Sequence, residues 1–317
     1  MTHFALFGYG HIGQKHAQVL RAHPDVVLVA IADPTLPTVA DCPVYATPLE
    51  LLQAHPSVEV VVVATPNGLH ATHALLALEH DKHVVIEKPM ALTKSDGERI
   101  LHKALQKNRQ VFCVMQLRYS PVVQWLRQTV QSGALGKVFL AQVNCFWNRD
   151  QRYYTPGSWR GSATLDGGPL FTQFSHFIDF LYWTLGEIRP FHGVRRNFTH
   201  PELADLDDTG SFQFEFGEQG LGVFTYSTAT WDKNFESSIS LLGEKGSIKI
   251  GGQYLDQVLY AHLENPASPP PPAATGTVNL HGALLQNVLD VLHQQGETTT
   301  NALEGIKVVE IISDIQR

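Results

Sequence analysis

The sequence predicts an α/β protein in two parts: a parallel sheet wound with helices, then an α+β region built on a large, mostly antiparallel open sheet. Three observations carry that expectation. Short β-rich runs alternate with helical segments over the first third of the chain, the pattern of βαβ units. A glycine-rich turn follows the first apolar run directly. After about residue 119, apolar and polar residues alternate along longer segments, as in a sheet packed on one face and solvated on the other.

In the first part the apolar runs are 4–7, 26–32, 58–64, 83–86 and 111–115. Helical spacing fills the gaps at 12–22, 68–79 and 94–106. Val60-Val61-Val62-Val63 is apolar without alternation, as a strand covered on both faces should be. In the second part strands are expected near 137–147, 211–216, 221–230, 237–242 and 258–262, separated by turn glycines such as Gly217, Gly220 and Gly243. Residues 266–275, which include Pro269-Pro270-Pro271-Pro272, read as an extended connection. Helices are expected at 283–293 and 302–315. At 317 residues the chain exceeds the commonest single core, and the change of pattern divides it into domains 1–118 and 119–317.

Hydrophobic residues at 44% and charged residues at 17% describe an ordinary globular protein, and a net charge of −7 gives no reason to expect nucleic acid or an anionic membrane as partner. Cys42, Cys113 and Cys145 are an odd number without paired spacing and read as reduced thiols. The chain opens straight into a strand with no basic or apolar leader, and its apolar runs fall far short of the ~20 residues of a membrane span. A cytoplasmic protein is expected. The sixteen histidines are scattered, and a pair such as His70 and His73 has no third ligand at useful spacing, so no metal is expected.

Gly8-Tyr9-Gly10-His11-Ile12-Gly13 lies between a strand and an amphipathic helix, the context a dinucleotide fingerprint requires. Gly8 suits the tight turn, Gly10 a close approach to pyrophosphate, and Gly13 close packing of helix on strand. Asp33 ends the second strand where an acidic side chain binds the ribose 2′-hydroxyl, which favours NAD over NADP. Thr65-Pro66-Asn67 closes the third strand at the same edge, with Asn67 also suited to cap a helix and His70 to line the cleft. Glu87-Lys88-Pro89 ends the next apolar run. A lysine there can be partly desolvated, which makes proton transfer near neutral pH accessible.

In order and spacing, the glycine motif, Thr65-Pro66-Asn67 with His70, and Glu87-Lys88-Pro89 together resemble the Gfo/Idh/MocA oxidoreductase family. The resemblance implies a Rossmann domain followed by an α/β domain whose open sheet forms a homodimer or homotetramer interface. It also implies hydride transfer between NAD and a sugar carbon. The cofactor set it implies is Gly8, Gly10, His11, Ile12, Gly13, Asp33, Thr65, Asn67, His70, Glu87 and Lys88. The segment Asp166-Gly167-Gly168-Pro169 through Thr172-Gln173-Phe174-Ser175-His176 is similar to the family's second signature, which implies that His176 shares proton transfer with Lys88. Asp179, three residues on, is placed to fix the His176 ring. Thr172 departs from the family, many of whose members carry an aspartate there.

The Thr-Gln-x-Ser-His variant and the segment Asn148-Arg149-Asp150-Gln151-Arg152-Tyr153-Tyr154 resemble the WlbA-like branch, which oxidises C3 of UDP-N-acetyl-glucosaminuronic acid for surface polysaccharide. Arg149, Arg152 and Arg160 suit a diphosphate or carboxylate, and Tyr153, Tyr154 and Trp159 suit stacking. With Arg118, Tyr119, Asn148, Thr172 and Gln173 they complete the expected substrate set. A free-sugar or inositol dehydrogenase of the same family, and a non-catalytic NAD-binding sensor, are the alternatives.

Overall fold

The computed structural model describes residues 1–36, 38–39, 41–203, 206–272 and 278–317. They form two compact units, Met1–Met115 with His281–Glu310, and Gln116–Leu280 with Ile311–Arg317.

The first unit begins β1 (Thr2–Phe7), α1 (His11–Ala22), β2 (Val26–Ala32), β3 (Val44–Tyr45) and α2 (Pro48–Ala54). It continues with β4 (Val60–Val63), α3 (His70–Glu79), β5 (His83–Ile86), α4 (Lys94–Lys107) and β6 (Val111–Cys113). The strands form one parallel sheet in the order β3-β2-β1-β4-β5-β6. Chain order reverses beside β1, so the carboxyl ends of β1 and β4 flank the crevice where such sheets take ligands. All four valines of β4 are buried, each worth about 1.5–3 kcal/mol relative to exposure. Local chemistry sets the helix ends. Thr93 caps α4 by accepting from the Asp96 amide at 3.1 Å, and Asn108 ends it in the left-handed region at φ 51°. β3 and α2 lie outside the expected elements, although Thr47 and Glu50 form a capping box at the start of α2.

The second unit begins with α5 (Pro121–Gln131), β7 (Val138–Phe146), α6 (Pro169–Thr172) and α7 (Ser175–Leu185). There follow β8 (Ile188–Arg196), β9 (Thr209–Phe216), β10 (Gly220–Ser227), β11 (Glu236–Gly243), β12 (Gly246–Gly251) and β13 (Gln257–Leu263). The sheet order is β13-β12-β11-β7-β10-β9-β8, antiparallel throughout except where β7 pairs with β10. Alternation is clean on β9 and β10. Phe212, Phe214, Phe216, Phe224 and Tyr226 are buried, whereas Gln213, Glu215 and Leu221 are exposed. β8 lies outside the expected strands, because Pro190 and Gly193 weaken its strand pattern. As a sheet edge it tolerates both.

The last helices are α8 (Leu280–Leu292) and α9 (Ala302–Gln316). Residues His281–Glu310 belong to the first unit, so the single division at 118/119 gives way to a first unit built from two stretches of chain. The cause is burial. Leu284, Leu285 and Val288 of α8 pack around the same small cavity as Phe4, Val62 and Val85 of the sheet, covering strands whose apolar face needs a helix. Of the proline-rich connection, residues 273–275 lie outside the described residues. Among the described residues no helix is long and apolar enough to cross a membrane.

Candidate active site

In the first unit the motifs meet at the carboxyl edge of the sheet because parallel pairing aligns the strand ends. Gly8 N–H donates to the Ala32 carbonyl at 2.8 Å, Ala64 N–H to Phe7 at 2.8 Å, and Glu87 N–H to Val63 at 2.9 Å. Gly8 has φ +89°, and a Cβ on it would lie 2.6 Å from the Ala64 carbonyl oxygen. A Cβ on Gly13 would lie 2.2 Å from the Gly8 oxygen, whereas one on Gly10 would meet nothing within 4 Å. Two glycines therefore let helix and strand close up. The third leaves open space before the amides that begin α1, and this fits a pyrophosphate. His11 and Ile12 form the first turn of α1.

Asp33 stands just beyond β2. Its Oδ2 accepts from the Tyr9 amide at 2.8 Å, and its Oδ1 accepts from the Thr35 amide at 2.9 Å and the Thr35 hydroxyl at 2.8 Å. Burial pushes this carboxyl up, but the hydrogen bonds from Tyr9 and Thr35 outweigh it and hold the group below the ordinary carboxylate range. The carboxylate is thus ionised and aimed before any ribose arrives, as a 2′-hydroxyl acceptor should be.

The Thr65 hydroxyl lies 3.0 Å from His73 Nδ1, and Asn67 is buried at the start of a 3₁₀ turn, Asn67–Leu69. Leu69, rather than Asn67, occupies the N-cap of α3, because that turn intervenes. His70 also departs from expectation. It is buried, with Nδ1 2.7 Å from the Pro89 carbonyl oxygen and Nε2 2.8 Å from that of Thr65, so it fastens the two loops together instead of lining a cleft. Glu87 is buried while Lys88 is half-buried.

The second unit holds the remaining residues. His176, in the first turn of α7, is buried at 8% exposure. Asp179 does not belong to His176 alone. Its carboxylate receives Arg118 Nε at 3.0 Å and Nη2 at 2.5 Å, and both side chains are buried. Arg118, expected as a substrate contact, is therefore an internal ion pair, with its guanidinium also over the Trp183 ring at 5.0 Å. Tyr119 is half-buried in the 3₁₀ turn that carries Arg118.

Thr172 takes the place of the family's aspartate, yet a carboxylate reaches it. The Thr172 hydroxyl donates to Asp166 Oδ1, while Asp166 Oδ2 accepts from the Gly161 amide at 2.7 Å. Asp166 is 1% exposed. No spacing rule pairs a residue with one six positions on across two glycines, which is why the sequence did not point to it. The only signal was its place at the head of the Gly167-Gly168 turn.

Arg149 and Arg160 flank Tyr153, with guanidinium carbons 5.1 and 4.6 Å from the ring centre, and Tyr153 Oη accepts from Gln173 Nε2 at 2.9 Å. Arg160 also lies over Trp159 at 5.2 Å. Asn148 is engaged locally, donating from Nδ2 to the Thr230 carbonyl at 2.6 Å. Arg152 is exposed and held by Asp150 and Asp232, which makes it a loop clamp more than an anion site. Tyr154 is buried against the His200 ring at 4.7 Å. Arg149 Nε, Arg160 Nε and Gln173 Oε1 are buried with no hydrogen-bond partner, a cost that a polar ligand would remove.

Residues 2–115 match the family described as "Oxidoreductase family, NAD-binding Rossmann fold", and 123–249 match "GFO/IDH/MocA C-terminal domain". The chain resembles the WlbA dehydrogenase from Bordetella pertussis, solved in complex with NADH and UDP-GlcNAcA, at 27% identity and TM-score 0.89 over 100% of this chain and 95% of that one. The 2,7-anhydro-N-acetylneuraminate hydratase of Escherichia coli K12 is 26% identical over 80% of this chain and 68% of its own length. The D-glucoside 3-dehydrogenase of the same organism is 28% identical over 57% of this chain and 53% of its own length, so the chain spans about half to two thirds of these curated relatives.

Proposed function

We propose that this chain, which belongs to the Gfo/Idh/MocA family of NAD-binding oxidoreductases, oxidises a hydroxyl of an anionic nucleotide sugar, at C3 of UDP-N-acetyl-D-glucosaminuronic acid. The family and its relatives make it an NAD-dependent sugar oxidoreductase; the proposal concerns the sugar. The observation that carries it is the cluster of Arg149 and Arg160 around Tyr153, with both guanidinium Nε atoms and Gln173 Oε1 buried and unpartnered. Two guanidiniums with an aromatic face suit a carboxylate or diphosphate, whereas a neutral sugar would leave both charges unanswered. The likeness to the WlbA dehydrogenase complexed with UDP-GlcNAcA supports the same substrate class.

NAD, when bound, accepts the hydride. Lys88 is assigned to polarise the reacting hydroxyl and assist its deprotonation, and His176 to share the proton transfer. Thr172 passes no proton near neutral pH, and Asp166 behind it holds its hydroxyl in place.

A second reading, oxidation of a free glycoside, is favoured by the likeness to D-glucoside 3-dehydrogenase. Turnover followed by NADH absorbance separates the two. The kcat/KM for UDP-N-acetyl-glucosaminuronic acid should exceed that for methyl glucoside by about a hundredfold or more, the worth of two charge-assisted hydrogen bonds. The reverse order would sink the nucleotide-sugar reading. The same reading assigns assembly as a homodimer or homotetramer through the open face of the second sheet, where Leu221, Gln213 and Glu215 are exposed. Light scattering on the purified chain should return twice or four times the chain mass, and a monomer would contradict it.

A further inference from the structure

Glu87 has an environment that cofactor binding does not explain. Its Oε1 lies 2.7 Å from His16 Nε2 on α1 and 4.0 Å from His281 Nε2 on α8, while its Oε2 accepts the backbone N–H of Lys88 at 3.1 Å. All three side chains are buried, and the His16 and His281 rings meet edge to face at 5.3 Å. Burial pushes the Glu87 carboxyl up, but the hydrogen bond from His16 and the charges of His16, His281 and Lys88 bring it down to about 2. His281 is pushed the other way, down to about 4, chiefly by burial, and Glu87 only partly offsets this. Glu87 is thus a fixed anion near neutral pH, joined at once to the dinucleotide helix, to α8 and to the residue assigned to proton transfer.

We infer that Glu87 is the positioning residue for Lys88: seated on His16, its carboxylate anchors the Lys88 backbone and holds the Lys88 side chain as an ammonium that donates to the reacting hydroxyl. The inference rests on the assignment of Lys88 above. The charges of Glu87 and Lys88 act on each other, and a buried anion stabilises a cation within its reach more than the same anion would in water, because less solvent intervenes. The other titratable groups facing this point are His16 and Lys15 from α1, His70 from α3 and His281 from α8. His16 and His281 both reach the carboxylate within 4.0 Å. Without the Glu87 charge, Lys88 should lose its proton at lower pH.

The test is the pH dependence of acylation of individual lysines by acetic anhydride, read by mass spectrometry, because only the free amine reacts and no sugar is needed. On the wild-type protein the midpoint for Lys88 should lie no lower than that for the exposed Lys233. A lower midpoint would overturn the inference without any variant. In Glu87→Gln, which keeps the shape, Lys88 should acylate about tenfold faster at pH 8 than in the wild-type protein. Its kcat should fall at least tenfold, and by more than any loss of NAD affinity. His16→Gln keeps a donor for the carboxylate and should retain most of kcat, whereas His16→Leu should not.

If Glu87→Gln lowers kcat and NAD affinity together and leaves Lys88 acylation unchanged, the residue is only structural. If Lys88→Ala keeps wild-type turnover, the assignment of Lys88 fails, and the acylation results still report separately on what Glu87 does to the amine. The ligand atoms of His16, Glu87 and His281 all lie within 4.8 Å of one another. Stoichiometric metal in the dialysed protein would make Glu87 a ligand and overturn the inference.

Discussion

Lys88→Ala should lower kcat about a thousandfold while leaving the dissociation constant for NAD within about threefold. A positioned acid or base contributes about 10²- to 10⁴-fold, and a thousandfold is about 4 kcal/mol of lost transition-state stabilisation. Cofactor affinity should survive because the features that fit NAD do not depend on the lysine side chain. Gly8 and Gly13 close the turn, the space over Gly10 stays open, and Asp33 is fixed by Tyr9 and Thr35. The fold should survive too, since Lys88 is half-buried and the carboxylate of Glu87 keeps His16 and the backbone N–H at position 88. The measurement is kcat by NADH absorbance beside an NAD titration by tryptophan fluorescence. A variant with wild-type turnover would remove Lys88 from the chemistry. One that loses NAD binding in proportion to kcat would make it a cofactor anchor.

The first unit was more legible in the sequence than the second, for a physical reason. Gly8, Gly10, Gly13 and Asp33 each answer a local demand of a strand–turn–helix, and local demands leave marks at fixed spacing. Parallel pairing then brings Thr65 and Glu87 to the same edge without further information. What escaped the sequence depends on partners that no fixed spacing marks. Asp166 meets Thr172 through a glycine turn, Arg118 meets Asp179 across 61 positions, and His281 comes back from α8 to face Glu87. Such pairs follow from packing, and an isolated Asp or His carries no trace of its partner. Asp179 is a case in point, because its spacing from His176 says nothing of Arg118. Spacing of i, i+3 put the two on one helix, while an arginine from another element took both carboxylate oxygens.

That ion pair makes the second large prediction. Asp179→Ala should cost the second unit about 3–5 kcal/mol, because it removes the carboxylate that two nitrogens of the Arg118 guanidinium grip at 1% exposure. Asp179 lies on α7 and Arg118 in the turn just before α5, so the pair ties the helix bearing His176 to its neighbour. Stacking on Trp183 does not rescue the arginine. The same ring already takes Arg127 at 4.0 Å, and a cation over an aromatic face is worth less than a buried bidentate carboxylate. Replacing both partners by apolar residues, Arg118→Met with Asp179→Leu, should recover much of the loss, since no lone charge is then left inside. Urea unfolding followed by a signal from the second unit measures both, with NADH-linked turnover alongside. The opposite pattern has a definite meaning. If Asp179→Ala keeps full stability and loses kcat while Arg118→Met changes neither, the carboxylate serves His176 after all. If instead both single variants lose stability and the double variant regains it, α7 is held by charge pairing, and His176 owes its position to a contact made a full helical turn away.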